Sequence, residues 1–283
     1  MKGRVLLGIA SVLLAIFTYD AVIRLLLSGV VALPSVPGGL KMLTAVMALF
    51  SLFHAWYTLG GRLTLAFFAL SATISWAFEQ VGVMTGLVFG AYHYTDYLGA
   101  KLGDVPLLIP LAWFMMIYPS YVIAGLIVER RPTGTPRGLV ALVRLAAFSA
   151  IVMTVWDLVV DPILSGPDAR AWIWENGGPY FGIPIQNYLG WLLTTFTVYF
   201  AYRALEQRFA AAPAGPVTAR VAAIAVGAYG AMLAAELLSG VLPAGVAAIG
   251  PVVMGVPIAV AVVRLRPSPE PRGQSRRNVP AAT

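Results

Sequence analysis

The sequence predicts an all-α fold: a polytopic transmembrane helix bundle of about eight spans, seven being the alternative count. A short interfacial or re-entrant segment is expected near residues 171–186. Three observations carry this prediction. Of 283 residues, 59% are hydrophobic and only 11% are charged, whereas a soluble domain carries roughly 25% charged residues. Mean hydropathy is +0.83. Apolar runs of the roughly 20 residues needed to cross a bilayer recur along the chain, separated by Gly, Pro and polar residues. A soluble enzyme and a disordered chain are both excluded.

The first run, 5–28, follows Lys2 and Arg4 as a signal sequence would. It lacks an Ala-x-Ala cleavage site and is long, so it reads as a retained anchor helix. Pro34, Pro37, Gly38 and Gly39 interrupt the chain before the second run, 40–59, and Gly60-Gly61 separates that from the third, 63–89. The fourth, 107–128, ends at the basic loop from Arg130 to Pro136. The fifth, 138–160, runs up to Pro162. Residues 171–186 are aromatic, glycine-rich and too short to span, which is the pattern of a segment lying on or dipping into the bundle. The remaining runs are 187–205, 217–239 and 244–264. Residues 1–266 therefore read as one transmembrane domain, and 267–283, rich in Pro and Arg, as a disordered basic cytoplasmic tail.

Eight spans put both ends of the chain on one side, and the charges then sort. Of 19 Lys and Arg, all but Lys41, Lys101, Arg170 and the intraspan Arg24 fall on that side. The positive-inside rule makes it the cytoplasm. The expected location is the cell (cytoplasmic) membrane, multi-pass, with both termini cytoplasmic. The formal charge of +7 is explained by these loops, and nucleic acid is not an expected partner. Of 12 acidic residues, all but Glu129, Glu206 and Glu270 fall in the outer half or the outer loops.

Carboxyl groups at membrane depth are expensive and mark bundle interiors or functional sites. Asp20 and Arg24, four apart, read as an internal ion pair. Glu236, near a span end, reads as reaching the interface. Glu79 has no basic residue within a turn. A carboxyl in such surroundings favours its neutral form, which makes Glu79 a possible proton donor. Asp157 and Asp161 are spaced to face one way and to share a proton, with helix capping before Pro162 the alternative for Asp161. His54, beside Trp56 and Tyr57, reads as a core or interface histidine. Tyr92-His93-Tyr94-Thr95-Asp96-Tyr97 packs aromatic, basic and acidic groups between glycines at the mouth of the third span.

Several chemistries are excluded. There are no cysteines, so thiol catalysis and cysteine-ligated clusters are out. Two histidines do not build a metal cage. No lysine sits in a late span for a retinal Schiff base. No second Asp-rich cluster accompanies Asp157–Asp161 to hold magnesium diphosphate. No phosphate loop or serine elbow is present. What remains is acid–base chemistry by carboxyls among aromatic rings, with no cofactor and no metal.

The motifs Phe78-Glu79, Gly82, Thr85-Gly86, Phe89-Gly90-Ala91-Tyr92-His93-Tyr94-Thr95, Val105-Pro106-Leu107, Trp113 and Tyr118-Pro119-Ser120-Tyr121 resemble the membrane carotenoid-biosynthesis family that includes the acyclic carotenoid hydratases. Trp156-Asp157 to Pro162, Trp172-Ile173-Trp174, Tyr180-Phe181-Gly182-Ile183-Pro184 and Asn187-Tyr188-Leu189-Gly190-Trp191 continue the resemblance, which covers roughly residues 70–195. It implies addition of water to the terminal C=C of an acyclic carotenoid to give a tertiary alcohol. The substrate would come from the lipid bilayer, and other carotenoid-biosynthesis enzymes are candidate partners. On this reading Glu79 protonates the alkene, and Asp157 and Asp161 hold the attacking water. Asp96 and His93 relay protons from outside, and the roles of the carboxyls are interchangeable. Trp76, Tyr92, Trp113, Tyr118 and Trp156 are candidates to stabilise the carbocation by cation–π attraction. Tyr94, Trp172, Trp174, Asn187 and Trp191 complete the expected substrate-binding set. A carotenoid cyclase, using the same protonation, and a non-catalytic carotenoid- or lipid-binding or transport protein are the alternatives.

Overall fold

The computed structural model describes residues 2–209 and 211–266. The tail expected over 267–283 lies outside the described residues. Eight long helices follow one another: α1 (Lys2–Leu26), α2 (Gly39–Leu59), α3 (Gly61–Thr85), α4 (Leu108–Glu129), α5 (Gly138–Leu164), α6 (Ile185–Arg208), α7 (Ala219–Leu238) and α8 (Ala244–Leu265). All except α6 are both long and apolar enough to cross a membrane. α6 is 24 residues long but carries Asn187, Thr194, Thr195, Arg203 and Glu206. All five are buried, because α6 packs between α3 and α5 and turns its polar side inward.

The punctuation read from the sequence has physical causes. Gly60 joins α2 to α3 with φ 84°, and a Cβ there would sit 2.3 Å from the Ala212 carbonyl oxygen. Only glycine satisfies both demands. Pro257, early in the second half of α8, cannot donate to the carbonyl of Val253, and the helix is interrupted at Met254. In α1, Tyr19–Ile23 winds as a π-helical turn, a rare widening found mostly at functional sites. Asp20 in that turn is buried. The ion pair expected with Arg24 is present, Nε to Oδ1 at 3.1 Å. Asp20 Oδ1 also accepts the backbone N–H of Val36 at 2.6 Å, tying α1 to the loop that follows it.

Much of the segment near 171–186, which precedes and opens α6, belongs to a small β cap. Strand β1 (Tyr92–Tyr94) pairs antiparallel with β4 (Trp172–Trp174), in the register Tyr92 to Trp174 and Tyr94 to Trp172. A second ribbon joins β2 (Lys101–Leu102) to β3 (Val105–Pro106). Thus the loop after α3 and the loop after α5 are laced together over one end of the bundle.

The opposite half is held by buried polar clasps. His54 contacts the Tyr118 hydroxyl at 2.6 Å and the Val221 carbonyl at 3.0 Å, joining α2, α4 and α7. Arg203 pairs with Glu206 at 3.2 Å, both fully buried, and Tyr121 donates to Glu206 at 2.6 Å.

Candidate active site

A cavity of about 470 Å³ opens beneath the β cap, with walls from α1 through α7 and a roof from the cap loops. Two carboxyl centres face it.

The first is Glu79, placed by the last turns of α3 and buried. Side chains alternate along a strand, so Tyr92 and Tyr94 both point inward while His93 between them points out. The Tyr92 hydroxyl donates to Glu79 Oε2. Tyr94 donates to the same oxygen at 2.8 Å, and the Trp113 indole N–H to Oε1 at 3.1 Å. Burial, then the charge of Glu79, push both phenols well above their ordinary range. They are therefore fixed as protonated donors. A carboxylate has about four acceptor sites; three of Glu79's are taken.

The second centre is the pair Asp157 and Asp161, one turn apart on α5. The Asn187 amide, on the first turn of α6, donates to Asp157 Oδ2 and to Asp161 Oδ2, each at 2.8 Å. Trp172 of the cap donates its indole N–H to Asp161 Oδ1 at 2.8 Å. Both oxygens of Asp161 are thus engaged. Asp157 Oδ1 accepts no hydrogen bond among the described residues.

Between the two centres the walls are aromatic. Trp113 and Trp191 stack with centroids 4.1 Å apart, and Trp156 meets Trp191 edge-on at 6.0 Å. Tyr92 lies 5.1 Å from Trp174.

The cavity brings together Glu79, Asp157, Asp161, Tyr92, Tyr94, Trp113, Trp156, Trp172, Trp174, Asn187 and Trp191 of the residues named from the sequence. Four others lie outside its lining. Asp96 is fully exposed, 3.7 Å from Lys101. His93 is exposed in a pair with Glu175 on the outer face of the cap. Trp76, one turn before Glu79, points toward the surface, where its indole donates to the Leu102 carbonyl at 3.1 Å. Tyr118 is buried lower in the bundle against His54 and Thr58. The structure thus does not bring Asp96, His93, Trp76 or Tyr118 to the cavity lining with the other eleven.

Two residues read from the sequence as bystanders, Asp20 and Glu236, also line the cavity. The signal available was their depth in apolar helices. Among the described residues, no cluster of three or more His, Cys, Asp or Glu is arranged to hold a metal ion.

An apolar cavity with carboxyls and stacked tryptophans suits a hydrophobic ligand. Residues 38–262 match the family described as carotenoid biosynthesis protein. The chain belongs to this family. A curated relative, the bisanhydrobacterioruberin hydratase of Haloarcula japonica, is 38% identical over 134 residues, 47% of this chain and 42% of that protein. The chain thus matches less than half the length of that relative. No solved structure matches the chain. As a carotenoid biosynthesis protein, the molecule is a helix bundle with seven helices, among the described residues, long and apolar enough to cross a membrane.

Proposed function

We propose that the chain is a cofactor-independent hydratase that adds water to the terminal C=C of an acyclic carotenoid. The observation that carries this reading is the pair of separately hydrogen-bonded carboxyl centres on one aromatic cavity. The hydratase named among its relatives supports the reaction class.

The hydrogen bonds favour exchanging the roles first expected for the carboxyls. Three donors converge on Glu79, which suits an ionised acceptor. Two carboxyls held by one amide share a proton, because two adjacent charges repel. Asp161 is the more fully engaged of the two, so the proton rests on Asp157 Oδ1. Asp157 then protonates the less substituted alkene carbon, forming a C–H bond and a tertiary carbocation. Trp113, Trp156 and Trp191 stabilise that cation, by on the order of 2 kcal/mol per desolvated ring. Glu79 uses its remaining acceptor site to orient a water and takes its proton as the C–O bond forms. Water in the cavity returns that proton to Asp157, and alkene plus water has become a tertiary alcohol.

The close Trp113–Trp191 stack favours one second reading, cyclisation, in which an internal double bond captures the same cation. The two are separated with purified protein in lipid, a linear carotenoid with an isopropylidene end, and water labelled with heavy oxygen. A product heavier by one labelled water is expected. A product of unchanged mass with altered absorption would replace hydration by cyclisation. Substrate that is bound and unaltered would make the protein a carotenoid binder.

A further inference from the structure

The hydratase reading leaves one requirement open. Water is a reactant, and the carboxyl centres lie under a roof of Tyr92, Tyr94, Trp172 and Trp174. The side of the same cavity built by α1 and α7 sets a few polar groups among apolar ones such as Phe17, Leu25 and Met232. It presents Asp20 from the π-helical turn, Arg24 just after it, Glu236 from the last turn of α7 and Ser239 at that helix's C-cap. Asp20 accepts from Arg24 on both oxygens and from the Val36 N–H on Oδ1. Arg24 has donors to spare, since its contacts with Asp20 use only Nε and Nη2. The half-buried Glu236 carboxyl takes no hydrogen bond from any group among the described residues. A carboxyl facing an apolar cavity without a protein partner must be solvated there.

Resting on the hydratase reading, we propose that Glu236, with the Arg24–Asp20 pair on the same wall, forms a water-admitting subsite. It binds the water that is consumed at the carboxyl centres. Glu236 accepts hydrogen bonds from that water and Arg24 donates to it, so reactant water crosses the α1–α7 wall rather than the aromatic roof. The π turn is what sets Asp20 and Arg24 into the cavity wall. An apolar end group then occupies the tryptophan side while water keeps the α1–α7 side, and neither has to displace the other. Glu236 is a positioning residue in this scheme: it touches water, not the reacting carbons.

The test uses the full chain in lipid vesicles, the linear carotenoid with an isopropylidene end and heavy-oxygen water. Glu236→Leu removes the water-binding group, and Glu236→Gln keeps hydrogen-bonding capacity. Binding is followed separately, by quenching of tryptophan fluorescence by the polyene. In Glu236→Leu, labelled alcohol should fall about tenfold or more, the scale of losing a hydrogen bond to a charged group. Double-bond isomers, formed when the cation loses a proton instead, should rise, and quenching should be unchanged. Glu236→Gln should retain most of the alcohol. Glu236→Leu forming alcohol at the wild-type rate overturns the inlet alone. Loss of quenching in both variants overturns it in favour of a structural role. Wild-type protein that forms no labelled alcohol at all removes the hydratase reading, and the inlet with it.

Discussion

Glu79 combines two demands that pull apart: it is buried in an apolar helix, yet three groups donate hydrogen bonds to it. Its depth was legible in the sequence, because a carboxyl inside a span is costly and therefore informative. Its donors were not, since Tyr94 and Trp113 reach it from other elements. The direction of His93 was equally hidden, for alternation is legible only once the segment is known to be a strand. Removing the proton or its acceptor should be severe: Asp157→Asn and Glu79→Gln should each lower alcohol formation by roughly 10²–10⁴-fold, the usual worth of a general acid or base. Tyr94→Phe deletes one donor to a charged group and should cost about 1.5–3 kcal/mol, read as a smaller loss in the same assay. The phenols also predict a pH effect on stability. Tyr92 and Tyr94 are raised in the folded protein, so the unfolded chain releases these protons first. Stability from this source is complete below the ordinary phenol value of about 10 and declines as pH rises beyond it. Thermal melts in detergent between pH 8 and 11 should show that decline, and Tyr94→Phe should flatten it. A decline of equal slope in the variant would refute the assignment.

At the scale of elements, the helices were readable because apolar length alone defines a span. α6 shows the limit of that signal: its polar residues lower its hydropathy, yet they face neighbours. The β cap was not readable. Its strands are only two or three residues long, and β1 and β4 come from loops separated by two whole helices, so no hairpin turn announces their pairing. What the sequence did show was a density of Tyr, Trp and Gly in both loops. The connection at Gly60 offers a test of element packing apart from chemistry. Gly60→Ala places a Cβ against the Ala212 carbonyl and strains a φ of 84°, for a cost on the order of 1–3 kcal/mol. The melting temperature should drop, while alcohol formed per folded molecule stays near wild type. Unchanged melting would mean that the α2–α3 turn relaxes freely.

For the molecule as a whole, orientation governs which solvent supplies the cavity. The β cap, the Asp20–Arg24 pair and Glu236 all lie at the end of the bundle away from the turn at Gly60. At the other end, Ala212 and Ala214 bond back to Leu59 and Tyr57. The positive-inside expectation would put this Ala212 end in the cytoplasm; on that expectation we propose that the cavity draws on the outer surface. The chain has no cysteine, which makes single introduced cysteines clean reporters. Asp168→Cys, at the exposed rim of the cavity, should react with a membrane-impermeant thiol reagent on intact cells. Ala212→Cys, at the opposite end and exposed, should react only after the cells are opened. The reverse pattern would invert the molecule and place its water supply in the cytoplasm. Labelling of both positions on intact cells would break the eight-span arrangement, because cap and Gly60 turn would then share one side. With the expected pattern, substrate binding should slow labelling at position 168 and leave position 212 unaffected. Of the two, only residue 168 borders the cavity.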